Sequence, residues 1–548
     1  MAVTGSQILA EALKRHGVDT FFYIMGAPMM LTENACIALG MRGIDVRHEQ
    51  AAAMMAHAYA RLRNRPGVCM AASGPATTNL ITGVAHAWAD CTPVIALGGA
   101  SPVATWGRGV FQEIDQLAMF EPCTKWAARV HHTKRIPELV GEAFRRSMSG
   151  KPGPVYLDLP GDVLYQEIEE SEIVWPAPWD PAARARPEAA PAHIGQIIEI
   201  LEAAQKPVIV SGSGILWSEA AAELQAWVEA TGIPFFTTPQ SRGVIPEDHP
   251  LCYLSARSTA FREADAILVI GTRMNYVIGH AAPPRFNAEA KILRIDIDAA
   301  EIDTSPRLDL GVVGDAKAVL RQLTRAAEGR LNPARTGAWR DRLRGQNTSK
   351  QAAQEDALNS AETPVHPLRL CKEIREFLDR DAVLVVDGQE ILNFARQSIP
   401  SFTPGHRLNS GAFGTMGVGM PFGVGAKIAK PDKQVLVLHG DGSFGLNAME
   451  FDTAVRHKVP VLVVISLNGG WTADPDKAKP GRDLGYTRYD KIAEALGGHG
   501  EYVERPGDIR PALKRAAAAV AAGQPALVNV VTDWRARATT APFTLYST

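Results

Sequence analysis

The chain has 548 residues, which is too many for one hydrophobic core and predicts two to four domains. Apolar residues make up 46% of the sequence and charged residues 21%, the balance of an ordinary soluble globular protein. The formal net charge of −2 gives no indication of a nucleic-acid partner or an anionic membrane partner.

Cysteine spacing and the N-terminal sequence predict a cytoplasmic protein. The six cysteines form no CxxC pair and no other metal-binding spacing, so we expect reduced, buried thiols. The N-terminal stretch MAVTGSQILAEALKRHGV is predicted to start an amphipathic helix and contains no apolar signal segment. No apolar run is long enough to span a membrane.

Three segments of the chain alternate apolar strands with helices. The first has the predicted strands TFFYIMGAP, VCMAAS, PVIALGG and GPVYLDLP, and it ends near Val163 before a linker rich in proline, alanine and arginine. The second begins near Ile194 with KPVIVSGSG, IPFFTT, AILVIGTR and ILRIDID. A polar stretch at 329–362 is predicted as a second linker. The third, from His366, has AVLVVDG, QVLVLHGDGS, PVLVVISLNGG and PALVNVVTD.

This alternation predicts an α/β fold with three doubly wound parallel-sheet domains of similar size. We place their boundaries at residues 1–185, 186–345 and 346–548, with the linkers included. No fixed short repeat is visible in the sequence.

Two motifs in the third segment predict a magnesium and diphosphate site. They are Gly440-Asp441-Gly442-Ser443 and Leu467-Asn468-Gly469-Gly470, and each follows its own apolar strand. The carboxyl ends of neighbouring parallel strands meet at one edge of a sheet, where open α/β sheets bind ligands. A carboxylate, a side-chain amide and a backbone carbonyl are oxygen ligands that suit Mg²⁺, and the glycines allow close approach of a diphosphate.

The two motifs together resemble the motif of thiamine-diphosphate enzymes, in which GDG is followed some thirty residues later by NN. Leu467 stands where the first asparagine usually stands, while Asn468 matches the asparagine that binds the metal. The resemblance implies that Asp441, Asn468 and the carbonyl of Gly470 hold Mg²⁺. It covers nearly the whole chain, in the order pyrimidine-binding, central and diphosphate-binding domain.

Two further segments fit the same resemblance. Arg47-His48-Glu49 opens a predicted helix, and in the family a glutamate here hydrogen-bonds the aminopyrimidine ring and helps to remove the proton from C2 of the thiazolium. The stretch 411–420 resembles the segment that holds the cofactor bent. Within it, Met416 matches the residue wedged between the two rings, and Gly414 matches the residue whose carbonyl accepts from the amino group.

The resemblance also implies an assembly. Glu49 belongs to the first segment and Asp441 to the third, and in the family the cofactor bridges two subunits. We therefore expect a homodimer or a dimer of dimers with the active site at the subunit interface.

Local features narrow the branch of the family. Phe111-Gln112-Glu113 and the residues after it resemble aldehyde lyases and 2-hydroxyacyl-CoA lyases, where a glutamine faces the reactive carbon. Acetolactate synthases share only the FQE part. Gln112 is thus a candidate for orienting the substrate oxygen, although a polar loop residue would look the same.

The central segment resembles that of oxalyl-CoA decarboxylases and 2-hydroxyacyl-CoA lyases, which implies ADP or CoA as its ligand. Central domains across the family keep similar strands even when they bind nothing, so the sequence leaves this open. Arginines suit phosphates, and acidic residues at strand ends suit a ribose or an adenine. The candidates for nucleotide or substrate binding are Arg257, Arg273, Asp296, Asp315 and Arg407.

The C-terminal tail and two downstream acidic residues are further candidates for a role at the site. The C-terminal tail from Asp533 is either a cover for the site or a surface-packed end, and the sequence leaves both open. Asp474 and Glu494 are the nearest downstream acids that could donate a proton, although a solvated surface position suits each as well.

The expected activity is a lyase that cleaves a 2-hydroxyacyl-CoA into formyl-CoA and an aldehyde or ketone. The enzyme alternatives are an oxalyl-CoA decarboxylase and an acetolactate-synthase-like carboligase. The non-enzyme alternative is a silent cofactor-binding subunit, against which Glu49, Asp441 and Asn468 argue because all three are present.

Overall fold

The structure, a computed structural model, describes residues 2–304, 307–471 and 480–538. It contains three parallel sheets flanked by helices, which confirms the predicted α/β class with three doubly wound domains. Among the described residues, no helix combines the length and apolar character needed to cross a bilayer. All six cysteines are free, and four of them are buried.

The first domain has a six-stranded parallel sheet in the order β3-β2-β4-β5-β7-β6, and β1 pairs with β8 in a separate antiparallel ribbon. Its strands are β1 (Ala2–Thr4), β2 (Thr20–Tyr23), β3 (Arg42–Asp45), β4 (Gly67–Ala71), β5 (Val94–Ala100), β6 (Trp126–Arg129), β7 (Val155–Pro160) and β8 (Glu167–Glu169). Its helices are α1 (Gly5–Arg15), α2 (Met30–Ala38), α3 (Glu49–Arg63), α4 (Pro75–Asn79), α5 (Ile81–Ala89), α6 (Gln116–Phe120), α7 (Ile136–Met148) and α8 (Gly161–Tyr165).

The central domain has a five-stranded parallel sheet in the order β10-β9-β11-β12-β13. Its strands are β9 (Pro207–Ser211), β10 (Phe235–Thr237), β11 (Ala266–Ile270), β12 (Lys291–Asp296) and β13 (Leu310–Val313). Its helices are α9 (Pro191–Ala203), α10 (Ser213–Trp217), α11 (Ala221–Thr231), α12 (Arg257–Glu263), α13 (Ala299–Asp303), α14 (Ala316–Ala327), α15 (Gly337–Ala352) and α16 (Glu355–Leu358).

The third domain has a six-stranded parallel sheet in the order β15-β14-β16-β17-β19-β18. Its strands are β14 (Val383–Asp387), β15 (Arg407–Asn409), β16 (Val435–Gly440), β17 (Leu462–Leu467), β18 (His499–Val503) and β19 (Ala526–Val531). Its helices are α17 (Pro367–Phe377), α18 (Glu390–Ser398), α19 (Gly419–Ala429), α20 (Asp441–Leu446), α21 (Glu450–Arg456), α22 (Tyr489–Ala495) and α23 (Pro506–Ala521).

Helices α3 and α19 join the first and third domains through one continuous apolar core. Their facing positions are small, because α3 is rich in alanine and α19 carries glycine at three positions. A Cβ on Gly425 would lie only 2.5 Å from the carbonyl oxygen of Met55, so the two backbones are in contact. This packing fixes the position of the N-terminus of α3, where Glu49 lies.

The linker predicted at 329–362 is helical over much of its length, which corrects the sequence interpretation. Helix α15 buries Trp339 and Leu343 against the central domain, and the Trp339 indole donates to the carbonyl of Pro207. Only two buried apolar side chains on a sixteen-residue polar helix leave too weak a periodic signal to recognise in the sequence.

Candidate active site

The GDGS motif and Asn468 meet at the carboxyl edge of the third sheet, as the sequence predicts. Asp441 directly follows β16 and Asn468 directly follows β17, and these two strands are hydrogen-bonded neighbours. One carboxylate oxygen of Asp441 accepts from the backbone N–H groups of Gly469 and Gly470, at 2.7 and 3.0 Å. The buried Asp441 side chain therefore holds the two loops together.

Three oxygen atoms converge at this point, and they fit a cation. The side-chain amide oxygen of Asn468 lies 2.9 Å from the carbonyl oxygen of Gly470 and 3.2 Å from Oδ1 of Asp441. If the side-chain amide of Asn468 were rotated by half a turn, its NH₂ group would donate to both oxygens. In the present orientation, its oxygen and the other two oxygens form a set of three acceptors around one point. Neighbouring ligands of an octahedral Mg²⁺ with bonds of about 2.0–2.1 Å are separated by about 3 Å. The residues present therefore fit the predicted metal.

The rest of the GDGS motif forms a compact turn into α20. Gly440 precedes the helix, Gly442 donates its N–H to Oδ1 of Asp441 at 2.8 Å, and the Ser443 hydroxyl donates to the carbonyl of Gly440 at 2.9 Å. Burial raises the pKa of Asp441 to about 6, against the lowering effect of the backbone N–H donors. A divalent cation at this carboxylate would favour its ionised form.

Glu49 is the first residue of α3, and it is buried. The Asn79 side-chain amide donates to Oε2 of Glu49 at 2.9 Å, which orients the carboxylate. From the third domain, Glu450 accepts from the backbone N–H groups of Arg47 and His48, at 3.0 and 3.1 Å. The start of the helix is thus held by hydrogen bonds from both domains.

The segment 410–418 connects β15 with α19 and is called the cofactor loop here. Gly414 and Met416 both line a large cavity, whereas Glu49 does not. Asp387, at the end of β14, accepts from the backbone N–H of Gly419 at 2.9 Å. The C-terminal end of the loop is therefore attached to the sheet.

The cavity has a volume of about 1860 Å³ and runs from the cofactor loop to the carboxyl edge of the central sheet. A typical small-molecule pocket measures roughly 300–1,000 Å³, so this one has room for a much larger ligand. Residues of all three domains form its walls. Those used below are Asp90, Arg273, Tyr276, Asp296, Asp315 and Arg396.

Gln112 lies in the connection between β5 and α6 with a φ of +60°, a left-handed conformation that is rare for glutamine. The Ser73 hydroxyl donates to its side-chain oxygen at 2.7 Å. A residue whose neighbours hold its backbone in such a conformation is a common feature of functional sites.

Comparisons with known proteins agree with this geometry. The family descriptions that match are the N-terminal TPP binding domain of thiamine pyrophosphate enzymes over residues 3–119, the central domain over 194–323, and the C-terminal TPP binding domain over 389–530. The chain belongs to the thiamine pyrophosphate enzyme family.

Similar proteins include three with different names. An acetolactate synthase large subunit of Mycobacterium tuberculosis is 34% identical over 539 residues, covering 96% of this chain and 95% of that protein. A 2-hydroxyacyl-CoA lyase of Oryza sativa subsp. japonica is 33% identical over 559 residues, covering 97% and 96%. The oxalyl-CoA decarboxylase of Escherichia coli strain K12 is 31% identical over 545 residues, covering 96% and 95%.

The family is thereby fixed, and this chain is a thiamine-pyrophosphate-dependent enzyme with cofactor-binding domains at both ends. Similar identities to three differently named relatives leave its specific reaction open.

Three of the five nucleotide candidates of this thiamine pyrophosphate enzyme line the cavity. Asp296 ends β12, and Asp315 caps α14 and accepts from the Ser218 hydroxyl at 2.8 Å. Arg273 follows β11 and donates to the carbonyl of Trp88 at 3.1 Å and to the thiol of Cys91 at 2.7 Å. These contacts attach the central-domain edge to the first domain.

The other two candidates, Arg257 and Arg407, are not among the residues that line the cavity, and their role in binding a nucleotide stays a prediction. Arg257 begins α12, is half-buried, and has its guanidinium 5.1 Å from the Phe261 ring centroid. Arg407 is buried within the edge strand β15.

The proton-donor candidates and the tail give a mixed result. Glu494 lies on α22 and forms an ion pair with Lys491 at 2.8 Å. Asp474 and the tail from 539 onward lie outside the described residues. Of the described tail, Arg537 lines the cavity, and the N–H of Ala538 donates to Glu390 at 3.1 Å.

Sequence reasoning missed several polar residues around the site. Asn79 orients Glu49, Asp387 holds the cofactor loop, and Asn447 bridges the two domains. The Asn447 amide donates to the carbonyl of Gly417 at 2.7 Å, and its oxygen accepts from Gln50 at 2.9 Å. Asp387 was detectable, because it ends a predicted strand next to the GDGS strand; the two asparagines have no such signal.

Proposed function

We propose that this chain is a thiamine-diphosphate-dependent 2-hydroxyacyl-CoA lyase that requires Mg²⁺. The observation that carries the proposal is one continuous cavity that joins the cofactor loop to the carboxyl edge of the central sheet. A CoA thioester needs such an extended site, because its nucleotide is remote from the carbonyl group that reacts.

Buried positive charge beside the cavity supports a phosphate-bearing substrate. Arg396, on α18, lines the cavity, and burial together with the charges of Arg242 and Arg285 lowers its pKa to about 10. Burial and the same group of cations, including Arg396, lower the pKa of Arg257 to about 9. The Nε and Nη2 atoms of Arg257 have no hydrogen-bond partner. A phosphate near Arg396 would relieve this repulsion.

The reaction breaks the bond between the thioester carbonyl carbon and the hydroxyl-bearing carbon. The hydroxyl group loses its proton and becomes the carbonyl of an aldehyde or ketone, while the thioester carbon gains a proton and leaves as formyl-CoA. When bound, thiamine diphosphate supplies a nucleophilic carbon, C2 of its thiazolium ring.

The chain's own residues would bind and orient the reactants. Asp441, Asn468 and the carbonyl of Gly470 would hold Mg²⁺ and with it the diphosphate. Glu49, oriented by Asn79, would share a proton with the aminopyrimidine nitrogen. Gln112 would orient the substrate hydroxyl group. Gly414 and Met416 would face the cofactor rings.

A second copy of the chain would complete each site. Glu49 does not line the cavity that contains Gly414 and Met416 of the same chain. Large apolar side chains are exposed in both terminal domains, among them Phe111 at 85% and Phe413 at 54%. A homodimer, or a dimer of dimers, would cover these side chains and bring Glu49 of one copy to the cofactor loop of the other.

The experiment is a substrate panel with purified protein, Mg²⁺ and cofactor: 2-hydroxyacyl-CoA thioesters, oxalyl-CoA and free 2-oxo acids. We expect formyl-CoA and an aldehyde from the first class. Preferred turnover of oxalyl-CoA would make the protein a decarboxylase, and preferred carboligation of free 2-oxo acids would favour the acetolactate-synthase-like alternative. Absence of turnover with cofactor bound would favour the silent-subunit alternative.

Within that panel, arginine variants test whether the protein binds the nucleotide part of CoA. Arg396→Ala should lower kcat/KM for a CoA thioester about ten- to a hundredfold, because Arg396 lines the cavity and a charge-assisted phosphate contact contributes about 1.5–3 kcal/mol. Arg257→Ala should have a smaller effect in the same direction, because its charge lies behind the cavity wall and makes no direct contact. A truncated 2-hydroxy substrate without the nucleotide should be unaffected. Arg262→Ala, an exposed position on the same helix as Arg257, is the matched control. Equal losses on both substrates would contradict the CoA assignment.

A further inference from the structure

A buried polar cluster lies where the three domains meet, and the proposed reaction makes no use of it. His57 and Arg61 come from α3, while His86 and Asp90 come from α5 and its C-terminal end. All four side chains are buried, and the two imidazole rings pack on Phe422 of α19 with centroids 4.9 and 5.5 Å away.

Asp90 is the centre of this cluster. Its Oδ2 accepts from the side-chain amide of Gln240, in the central domain, at 2.8 Å, and lies 3.3 Å from Nε2 of His86. Burial alone would raise the pKa of Asp90, but the neighbouring His86, His57 and Arg61 side chains lower it to about 2. The carboxylate is therefore ionised at neutral pH. A metal ion here would meet the positive charge of Arg61, 4.0 Å from the same oxygen.

The other oxygen of Asp90 contacts the start of the cofactor loop. Oδ1 accepts from the backbone N–H of Ala412 at 3.2 Å. Gly411 has a φ of +56°, and a Cβ there would lie 2.0 Å from Oδ1, so no larger residue fits. On its other side, the carbonyl of Ala412 accepts from the Tyr276 hydroxyl at 2.6 Å. Groups from two other domains thus fix the turn at 411–412, two residues before Gly414.

We propose that Asp90 is a positioning residue that sets the conformation of the cofactor loop from the first domain. Asp387 fixes the far end of the loop from within the third domain, and Asp90 fixes the near end across the domain junction. Gly414 and Met416 lie between these two anchors. The inference rests on the proposed roles of Gly414 and Met416 in holding the cofactor.

The first test is cofactor affinity in the full-length protein, titrated with thiamine diphosphate at fixed Mg²⁺ and followed by intrinsic tryptophan fluorescence. Asp90→Ala should weaken binding about tenfold or more, because a charge-assisted contact is lost. Asp90→Asn, which keeps an oxygen for Ala412, should recover part of the affinity. Asp19→Asn is the control, since Asp19 contacts Tyr59 and Arg63 of the same helix α3 but lies outside the cluster.

The second test is a double-mutant cycle between positions 90 and 411. Gly411→Ala places a methyl group against Oδ1 of Asp90 and should weaken cofactor binding strongly in the wild type. In the Asp90→Ala background that collision is gone, so the same substitution should cost several-fold less. The backbone strain of alanine at this φ is present in both backgrounds and cancels. If Asp90→Ala does not fold, Asp90→Ser replaces it, because its shorter side chain also withdraws from Ala412.

Unchanged affinity in Asp90→Ala, or strictly additive effects in the cycle, would overturn the inference. Met416→Ala, measured in parallel, separates this failure from that of the proposed site. If Met416→Ala leaves cofactor affinity unchanged, the proposed role of the loop is wrong; if it weakens binding while Asp90→Ala does not, only the role of Asp90 is wrong.

Discussion

The first and third domains are built on the same sheet and differ in the loops at its carboxyl edge. Numbered along the chain, the six strands of each sheet follow the order 2-1-3-4-6-5. After the second strand, the first domain has Glu49 and the third has the cofactor loop. After the fourth strand, the first domain has Gln112 and the third has Asn468.

This difference shows that the sheet fixes where the site residues lie, whereas the loops determine which functional groups are present there. In the third domain, oxygen atoms of Asp441, Asn468 and Gly470 converge and suit a cation. In the first domain, the Glu49 carboxylate accepts from the Asn79 amide and suits a neutral heterocycle. If the comparison holds, substitutions at the carboxyl edge of the first sheet should impair proton transfer. Substitutions at the carboxyl edge of the third sheet should impair cofactor binding.

The largest difference between the effect on proton transfer and the effect on cofactor binding is expected from Glu49→Gln. Exchange of the C2 proton of the bound cofactor should fall by roughly 10²–10⁴-fold, because positioned acid–base groups contribute that much. Cofactor affinity should change little, since the diphosphate edge is intact. NMR of bound cofactor measures the exchange, and Glu11→Gln, an exposed change on α1, is the control. Exchange at the wild-type rate would remove Glu49 from this role.

Asp441→Ala should give the opposite result. Cofactor affinity in Mg²⁺ should fall by roughly a hundredfold or more, because loss of an outer-sphere group around a metal already costs 10- to 100-fold. Affinity measured without Mg²⁺ should hardly change. Titration with and without the metal checks this, with the exposed Asp432→Ala as control. A variant that still gains affinity from Mg²⁺ would place the metal elsewhere.

The smallest expected effects concern two glutamines four residues apart in the first domain. Gln112→Gly should lower kcat/KM about tenfold without lowering the melting temperature, because glycine relieves the positive φ. Gln116→Ala should lower the melting temperature instead, because its buried amide donates to Gly99, Tyr156 and Asp158. Melting curves and steady-state kinetics on both variants test the contrast. Matching profiles would mean that Gln112 is structural as well.

The sequence predicted the site residues that lie at the ends of neighbouring strands. It did not predict residues whose contacts join segments far apart in the chain. Asp441 and Asn468 were predictable, because each ends an apolar strand and adjacent parallel strands share an edge. Asp90 was not, since its contacts with Gln240 and Ala412 span three domains. Arg257 matched a family pattern, yet its guanidinium lies over the Phe261 ring and does not line the cavity. Helix α15 was missed because it buries only two apolar side chains.

The central claim is that Glu49 of one copy acts with Asp441 and the cofactor loop of another. Co-expression of Glu49→Gln and Asp441→Ala chains, each inactive alone, tests it directly. If the site lies between copies, a mixed dimer has one site with both residues intact, and random pairing restores about a quarter of wild-type activity. If each chain formed its own site, every site would carry a defect and no activity would return, which would contradict the account.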